Sequence, residues 1–450
     1  MLVIISDLHL TDGTSGETIR QGAFFLLRER LVSLAYDASW RSPGIYKPIE
    51  SIELVLLGDI LDVIRSSVWC DAPPHVRPWG NPSHPDFINA VTKINAAILA
   101  NNQKSLGALK SLSNFITVPV ADRNHRPVSD KADHSHSKDK RVTVPVRLYY
   151  LVGNHDWFYH LPDAAFDPLR ASVVEAIGLE NPKGPFPHDP AEYPELLDIY
   201  ATHKVWARHG DIFDPDNFDG DRNKSSLGDA IVVELLNRFP ATVKQRLGTQ
   251  LPAECLDGLK EIDNVRPQVV IPTWIYSLLA RTCSKEQAKA VMKVWNELVD
   301  NFLGIDFVKQ HKSFFLKYGL KLTGGISVGS LSGALLWLKA KLGVGGDERF
   351  YPNALTEKAY RDGSAHFIVY GHTHHHEIVT LRAASLKTRP FDQVYINSGT
   401  WRAVHEMAAA DLKRPEFGGY KVMTYLVFYK EDEHGDREFE AWSGALGSST

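Results

Sequence analysis

The sequence predicts an α/β layered domain carrying a helical insertion, and three observations support that reading. Short apolar runs alternate with segments of helical periodicity through the N-terminal half. Each apolar run gives way to a cluster of Asp, His, Asn and Gly. One long block, 221–359, is helical in pattern. The core is therefore expected to span 1–220 and 360–450, with 221–359 set between its halves as a lid or substrate region.

Residues 2–5 form the first apolar run and predict a buried strand. Phe24, Leu27, Leu31 and Leu34 recur at helical spacing, and 52–57 make a second strand ending at Gly58-Asp59. Phe87, Val91, Ile94 and Ile98 line one face of a helix, and a strand over 147–152 runs into Gly153-Asn154-His155-Asp156. Segment 121–141 is charged and almost without apolar residues, so burial cannot offset its ordering entropy. It predicts a mobile surface loop in which His134 and His136 are solvated.

Residues 199–208 are strand-like and end at His209-Gly210-Asp211. Within the insertion, Leu227, Ile231 and Leu235, then Val291, Val294, Leu298 and Phe302, fall at helical spacing, and Ser284 with Gln287 makes a capping box. Phe307, His311, Phe314, Tyr318 and Leu322, with Lys309, Lys312, Lys317 and Lys321, predict a basic amphipathic helix. Strands return at 366–370, before Gly371-His372-Thr373-His374, then at 394–396 and 422–429.

Composition narrows the function classes. At 450 residues, with 44% hydrophobic and 23% charged side chains, the chain has ample material for a core. Fifty basic against 54 acidic side chains give a formal charge of −4, so no global field attracts nucleic acid or anionic lipid. Cys70, Cys255 and Cys283 are too few and too far apart for a disulfide framework, which points to a reducing compartment. The apolar start lacks a basic n-region, and the most apolar internal stretch, 326–338, is shorter than the roughly 20 residues a membrane span needs. The expected location is cytoplasmic, with peripheral membrane contact open through the basic helix.

Five polar clusters lie just past strand ends, where open α/β sheets place their ligands. They are Asp7-Leu8-His9, Gly58-Asp59-Ile60-Leu61-Asp62, Gly153-Asn154-His155-Asp156, His209-Gly210-Asp211 and Gly371-His372-Thr373-His374. Together they offer carboxylate, amide and imidazole donors and no thiolate, a set suited to Mn, Fe or Zn. Asp7, His9, Asp59, Asn154, His209, His372 and His374 are more ligands than one tetrahedral metal takes, so two divalent ions sharing a carboxylate are expected. Asp62 and Asp211 are expected to support ligands. On extended backbone, Asp7 with His9 and His372 with His374 would point the same way. His375 would then face away, His376 would be a support or solvated, and 214–220 would form an acidic turn beside the metals. His203 and His160 compete with His209, which its Gly-Asp neighbours favour.

In this order the blocks resemble the calcineurin-like metallophosphoesterase superfamily, whose pattern is D-x-H, G-D-x-x-D, G-N-H-D/E, a His-containing turn and G-H-x-H. The resemblance spans both ends of the chain and leaves 121–141 and the insertion uncovered. It implies a sandwich of two stacked mixed β-sheets flanked by helices. It also implies one ion held by Asp7, His9, Asp59 and His374 and a second by Asp59, Asn154, His209 and His372. His155 matches the family's substrate-facing histidine and Asp156 its orienting carboxylate. The implied activity is hydrolysis of a phosphomonoester, phosphodiester or pyrophosphate bond by a hydroxide activated between two metals.

The expected substrate is a phosphorylated small molecule or a lipid-linked phosphate, with no obligate nucleic acid. The basic helix and the His-Gly-Asp block are mildly similar to bacterial UDP-2,3-diacylglucosamine pyrophosphohydrolases, from which the chain departs in its greater length and in His155, where they carry Arg. A non-catalytic scaffold on the same fold is the reading from another class. Against it stand acidic and imidazole groups gathered in one place, which would repel or sit unpaired without cations.

Overall fold

The computed structural model describes residues 1–15, 19–129, 140–266, 268–311, 350–385, 391–408 and 416–448. Among the described residues eleven strands build the two main sheets: β1 (Leu2–Ile5), β2 (Ile52–Leu57), β3 (Val146–Leu151), β4 (Val205–Ala207), β5 (Val265–Arg266), β6 (Phe367–Tyr370), β7 (His376–Arg382), β8 (Gln393–Ser398), β9 (Ala403–Met407), β10 (Phe417–Phe428) and β11 (Phe439–Ser448). In the first sheet β1, β2 and β3 are parallel neighbours. The long β10 runs antiparallel to β1, β9 and β11, and β5 adds to β9 in parallel. The second sheet has the order β7-β8-β6-β4, with β7 antiparallel to β8 and the other pairs parallel.

The sheets stack face to face, and strand alternation decides which side chains lie between them. Leu2, Ile4, Val55, Leu57, Tyr149 and Leu151 of the first sheet meet Val205, Ala207, Phe367, Val369 and Ile396 of the second. The alternate residues Val3, Ile5, Leu54, Leu56 and Leu148 face the other way, into a large core shared with helices Gln21–Ala38, Pro85–Asn101 and Asp167–Ile177. Both strand faces are covered, which is why β1 and β2 read as unbroken apolar runs. On the far side of the second sheet, Ile368, Tyr370 and Tyr395 are covered by Phe350, Ala354 and Tyr360. Each such aliphatic or aromatic side chain contributes about 1.5–3 kcal/mol by leaving water. The fold is thus two stacked mixed sheets flanked by helices, the expected class.

Over its described part, segment 221–359 is helical, with Ser284 and Gln287 forming the expected capping box before Lys285–Leu303. It shares the large outer core: Phe239 and Trp295 meet edge to face at 4.9 Å, and Val291, Val294, Leu298 and Phe302 are buried. It also supplies β5, so this block is stitched into the first sheet as well as lying over it.

Two local readings change. Residues 194–202 are helix, started by Pro194 at its first position, and the strand begins only at Val205. The base of the 121–141 loop is zipped by pairing of Thr117–Pro119 with Arg141–Thr143. His134 and His136, most of the basic helix (Phe314, Tyr318, Leu322, Lys312, Lys317 and Lys321) and the stretch 326–338 lie outside the described residues. Among the described residues no helix is long and apolar enough to cross a membrane.

Candidate metal centre

The parallel strands deliver their C-terminal ends to one place, and backbone hydrogen bonds fix the loops against one another. Asp7 N–H donates to Gly58 O at 3.1 Å and His9 N–H to Asp59 O at 2.9 Å. Gly371 N–H donates to His209 O at 2.8 Å, and His155 N–H to Asp59 Oδ1 at 2.8 Å. The backbone carrying the ligands is not the extended chain that the alternating pairs suggested. Asp7, His9, Asp59, His372 and His374 all have positive φ, between 45 and 70°. Asp and His tolerate this region better than branched residues, yet each such position costs of order 1 kcal/mol and clusters at functional sites. Convergence within each pair comes from these left-handed turns.

Two glycines are there for space. A Cβ at Gly153 would stand 2.3 Å from Asp59 Oδ1 and 2.7 Å from His209 Nε2, and one at Gly371 would stand 2.6 Å from Asp7 Oδ2. Neither position can hold a side chain while the carboxylates keep their places.

All seven sequence-predicted ligands come together. Asp7, His9 and His374 form one triad and Asp59, His209 and His372 another, each with its ligand atoms within 4.8 Å of one another. Asn154 Oδ1 lies 3.3 Å from His209 Nε2 and 3.0 Å from His372 Nδ1. His9 Nε2 lies 3.6 Å from Asp59 Oδ2, which joins the two groups, and His209 Nε2 lies 3.3 Å from the same oxygen. Neither rival histidine is here: His203 bonds Ile199 O and His160 bonds Phe186 O.

Hydrogen bonds on the far side of the rings set what the near side presents. His9 Nδ1 is 2.7 Å from Asp62, His209 Nδ1 is 2.9 Å from Leu57 O, and His372 Nε2 is 2.9 Å from Asp214. Each of these partners only accepts, so each ring donates outward and, when neutral, turns a lone pair inward. Asn154 Nδ2 donates to Asn217 at 3.1 Å, which aims its Oδ1 inward too. With His9, His209 and His372 neutral, their inner nitrogens and Asn154 Oδ1 are acceptors facing the carboxylates, and Asp7 Oδ1 is buried with no hydrogen-bond partner. Such a shell is unfavourable unless cations fill it. The donor set fits divalent transition metals.

Without a cation, protons take up part of this mismatch. Burial raises the Asp7 carboxyl, with a push from Asp59 and an opposing pull from His209, to about 6. Burial alone would lower His209, but the Asp59 carboxylate outweighs it and holds a proton there well above the ordinary imidazole range. Burial, with the charge of Arg402, takes His9 down to about 4. His155 is raised to about 9, burial being overcome by Asp62 and Asp59.

Three roles differ from expectation. Asp156 does not orient His155: its carboxylate accepts from Ile60 N–H at 2.8 Å, Gly153 N–H at 2.6 Å and Tyr150 OH at 2.5 Å, tying the second ligand loop to the third. Burial and Asp59 raise its carboxyl to about 7. Asp62 takes the orienting role, with Oδ1 2.8 Å from His155 Nδ1 while Oδ2 supports His9. Asp211 supports no ligand directly but forms a buried ion pair with Arg222 at 2.5 Å, whose Nη1 donates to Gly153 O. Asp214, in the acidic turn expected beside the metals, is the partner of His372, a contact that no local sequence signal marks. Pairing with His372 keeps its carboxyl below the usual range against the effect of burial. His375 is exposed, and His376 bonds Asn397 O at 2.8 Å.

No protein-family model matches the chain, and no curated protein sequence matches it.

Proposed function

We propose that the chain is a metal-dependent phosphoesterase of the calcineurin-like type. In this reading Asp7, His9, Asp59 and His374 hold one divalent ion, and Asp59, Asn154, His209 and His372 hold the other. One observation carries it: three imidazoles from three separate loops each spend their outer N–H on a fixed acceptor and turn a lone pair toward shared carboxylates. A purely structural cluster would instead pair those nitrogens with donors.

When bound, two divalent ions would supply Lewis acidity toward phosphoryl oxygens and a water acidic enough to react near neutral pH. The chain's own residues position and move protons. Asp62 accepts from His155 Nδ1 and, with Asp59, holds the ring in its protonated form, so Nε2 also carries a proton that it would donate to a phosphoryl oxygen or the leaving oxygen. Such a proton donor is typically worth about 10²–10⁴ in rate. Asp156 and Tyr150 hold the second and third ligand loops in register.

The test is turnover of p-nitrophenyl phosphate and bis(p-nitrophenyl) phosphate by metal-stripped protein supplied with Mn²⁺, Fe²⁺ or Zn²⁺. Hydrolysis that appears on adding metal and is lost in His209→Ala and Asp59→Asn supports the reading. Protein that takes up no metal and hydrolyses neither ester contradicts it and favours the scaffold.

A further inference from the structure

Beside the His374 half of the centre lie three arginines that the metal ligands do not explain. Arg266 stands at the end of β5, the strand that the insertion adds to the first sheet. Its Nη2 is 2.7 Å from His374 Nδ1, and its Nη1 donates to the carbonyls of Asp263 and Val265 at 2.8 and 3.0 Å. Arg402 pairs with the Asp263 carboxylate at 3.0 Å and contacts Asn264. Arg65 lies 3.2 Å from the same carboxylate.

Count the charges. Among the described residues, Asp263 is the only carboxylate in ion-pair contact with any of the three guanidiniums. The other negative charge acting on them belongs to the metal centre, Asp7 and Asp59 on Arg266 and Asp62 on Arg402, so once cations neutralise that centre the three guanidiniums are left with Asp263 alone. Arg65 and Arg402 are buried, and Arg65 Nη1 has no hydrogen-bond partner. A buried, uncompensated cation with an open donor is costly unless something anionic completes it.

Hydrogen-bond chemistry says when Arg266 becomes available. A guanidinium only donates, so its contact uses the lone pair of His374 Nδ1. Metal ligation through His374 Nε2, the nitrogen facing His9 and Asp7, obliges Nδ1 to carry the ring proton. That proton and the Arg266 contact exclude each other, so a loaded centre frees Arg266 for another acceptor beside it.

Resting on the phosphoesterase reading of this site, we propose that Arg266, Arg402 and Arg65 form an anion subsite. It selects a phosphoryl group bearing two negative charges, a phosphomonoester, over a phosphodiester, which bears one. Arg266 would supply the fork that a phosphoryl group accepts in bidentate fashion.

The experiment compares wild-type, Arg266→Gln and Arg266→Lys proteins, each loaded with Mn²⁺ and checked for metal content. Two readouts are taken: calorimetric binding of inorganic phosphate, and the ratio of kcat/KM for p-nitrophenyl phosphate to that for bis(p-nitrophenyl) phosphate. Losing a charge-assisted fork should weaken phosphate binding and lower the ratio on the order of tenfold in Arg266→Gln, at unchanged metal content. Arg266→Lys keeps the charge without the fork and should fall between, which also decides the matter if the Gln variant fails to fold. Phosphate affinity and ester ratio within twofold of wild type in a folded variant would overturn the subsite. Wild-type protein that binds metal yet hydrolyses neither ester would overturn the phosphoesterase reading, while the phosphate titration would still judge the subsite.

Discussion

Asp62→Asn is the substitution on which the geometry bears most sharply. The Asp62 carboxylate is fully buried and serves two imidazoles at once, His9 at 2.7 Å and His155 at 2.8 Å, while also accepting Arg65 N–H at 3.0 Å. Burial opposes its ionisation, but the two histidines hold it far below the usual carboxylate range, so it is charged at any working pH. Asparagine keeps one acceptor oxygen and replaces the other with an NH₂ donor. One of the two rings must then give up its Nδ1 proton. If His9 does so, its metal-facing nitrogen carries the proton and is lost as a ligand; if His155 does so, the charge that favours its protonated form is lost. Outer partners of this kind are worth about 10–100-fold in metal affinity or activity, or roughly 1.4–2.7 kcal/mol. The assay is a competitive Mn²⁺ titration against a chelator, with a pH–rate profile on the same protein. Weaker Mn²⁺ binding by at least about tenfold, with the limb assigned to His155 moved to lower pH, is expected. Affinity and profile both within twofold of wild type would refute the reasoning.

Other predictions follow from single contacts. Asp214→Asn removes the outer acceptor of His372 and should weaken one of two Mn²⁺ steps by about tenfold while sparing the other, seen in a stepwise binding isotherm. Gly153→Ala drives a methyl into Asp59 Oδ1 and should abolish uptake of the shared pair while circular dichroism stays native. His203, which bonds Ile199 O and is no part of the centre, is lowered to about 3 by burial and by the nearby N-terminal ammonium. Its neutral form is the folded one, so its contribution is complete above the unfolded value near 6.5 and is lost as pH falls from there toward 3. One proton over this window gives about 2 kcal/mol between pH 7 and pH 5. His203→Gln should shrink the measured stability difference between those pH values by about that amount in urea unfolding, and an unchanged difference would contradict the assignment.

The ligands were legible because each sits in a short polar run after an apolar strand, and in four of the five runs a glycine announced a tight turn. Their supports were harder to read. Asp62 was visible as a helper but not as the partner of two rings, because His9 and His155 meet only after three loops fold together. Asp156 looked like an orienting group from its place next to His155, yet adjacent residues point apart, and its carboxylate reaches back to the Gly58 loop. Asp214 lay in an acidic turn noted only for being nearby. Arg266 left no local signal at all, since a two-residue strand inside a helical block has no periodicity to detect. Among the fold elements, β1 and β2 announced themselves as continuous apolar runs, whereas β7 is half-exposed, with Ile378, Thr380 and Arg382 turned to solvent, and passed unmarked. Residues 199–202 misled because two or three apolar residues fit either period, and Pro194 was the overlooked helix-start signal.

The central claim is that this shell of inward lone pairs exists to hold two cations joined through Asp59. Counting manganese per chain by elemental analysis, after stripping, reloading and dialysis, tests it without reference to any substrate. Two ions in the wild type, and at most one weakly held ion in Asp59→Asn, is the predicted result. A wild-type chain that retains none, or an Asp59→Asn chain that retains both, would contradict it.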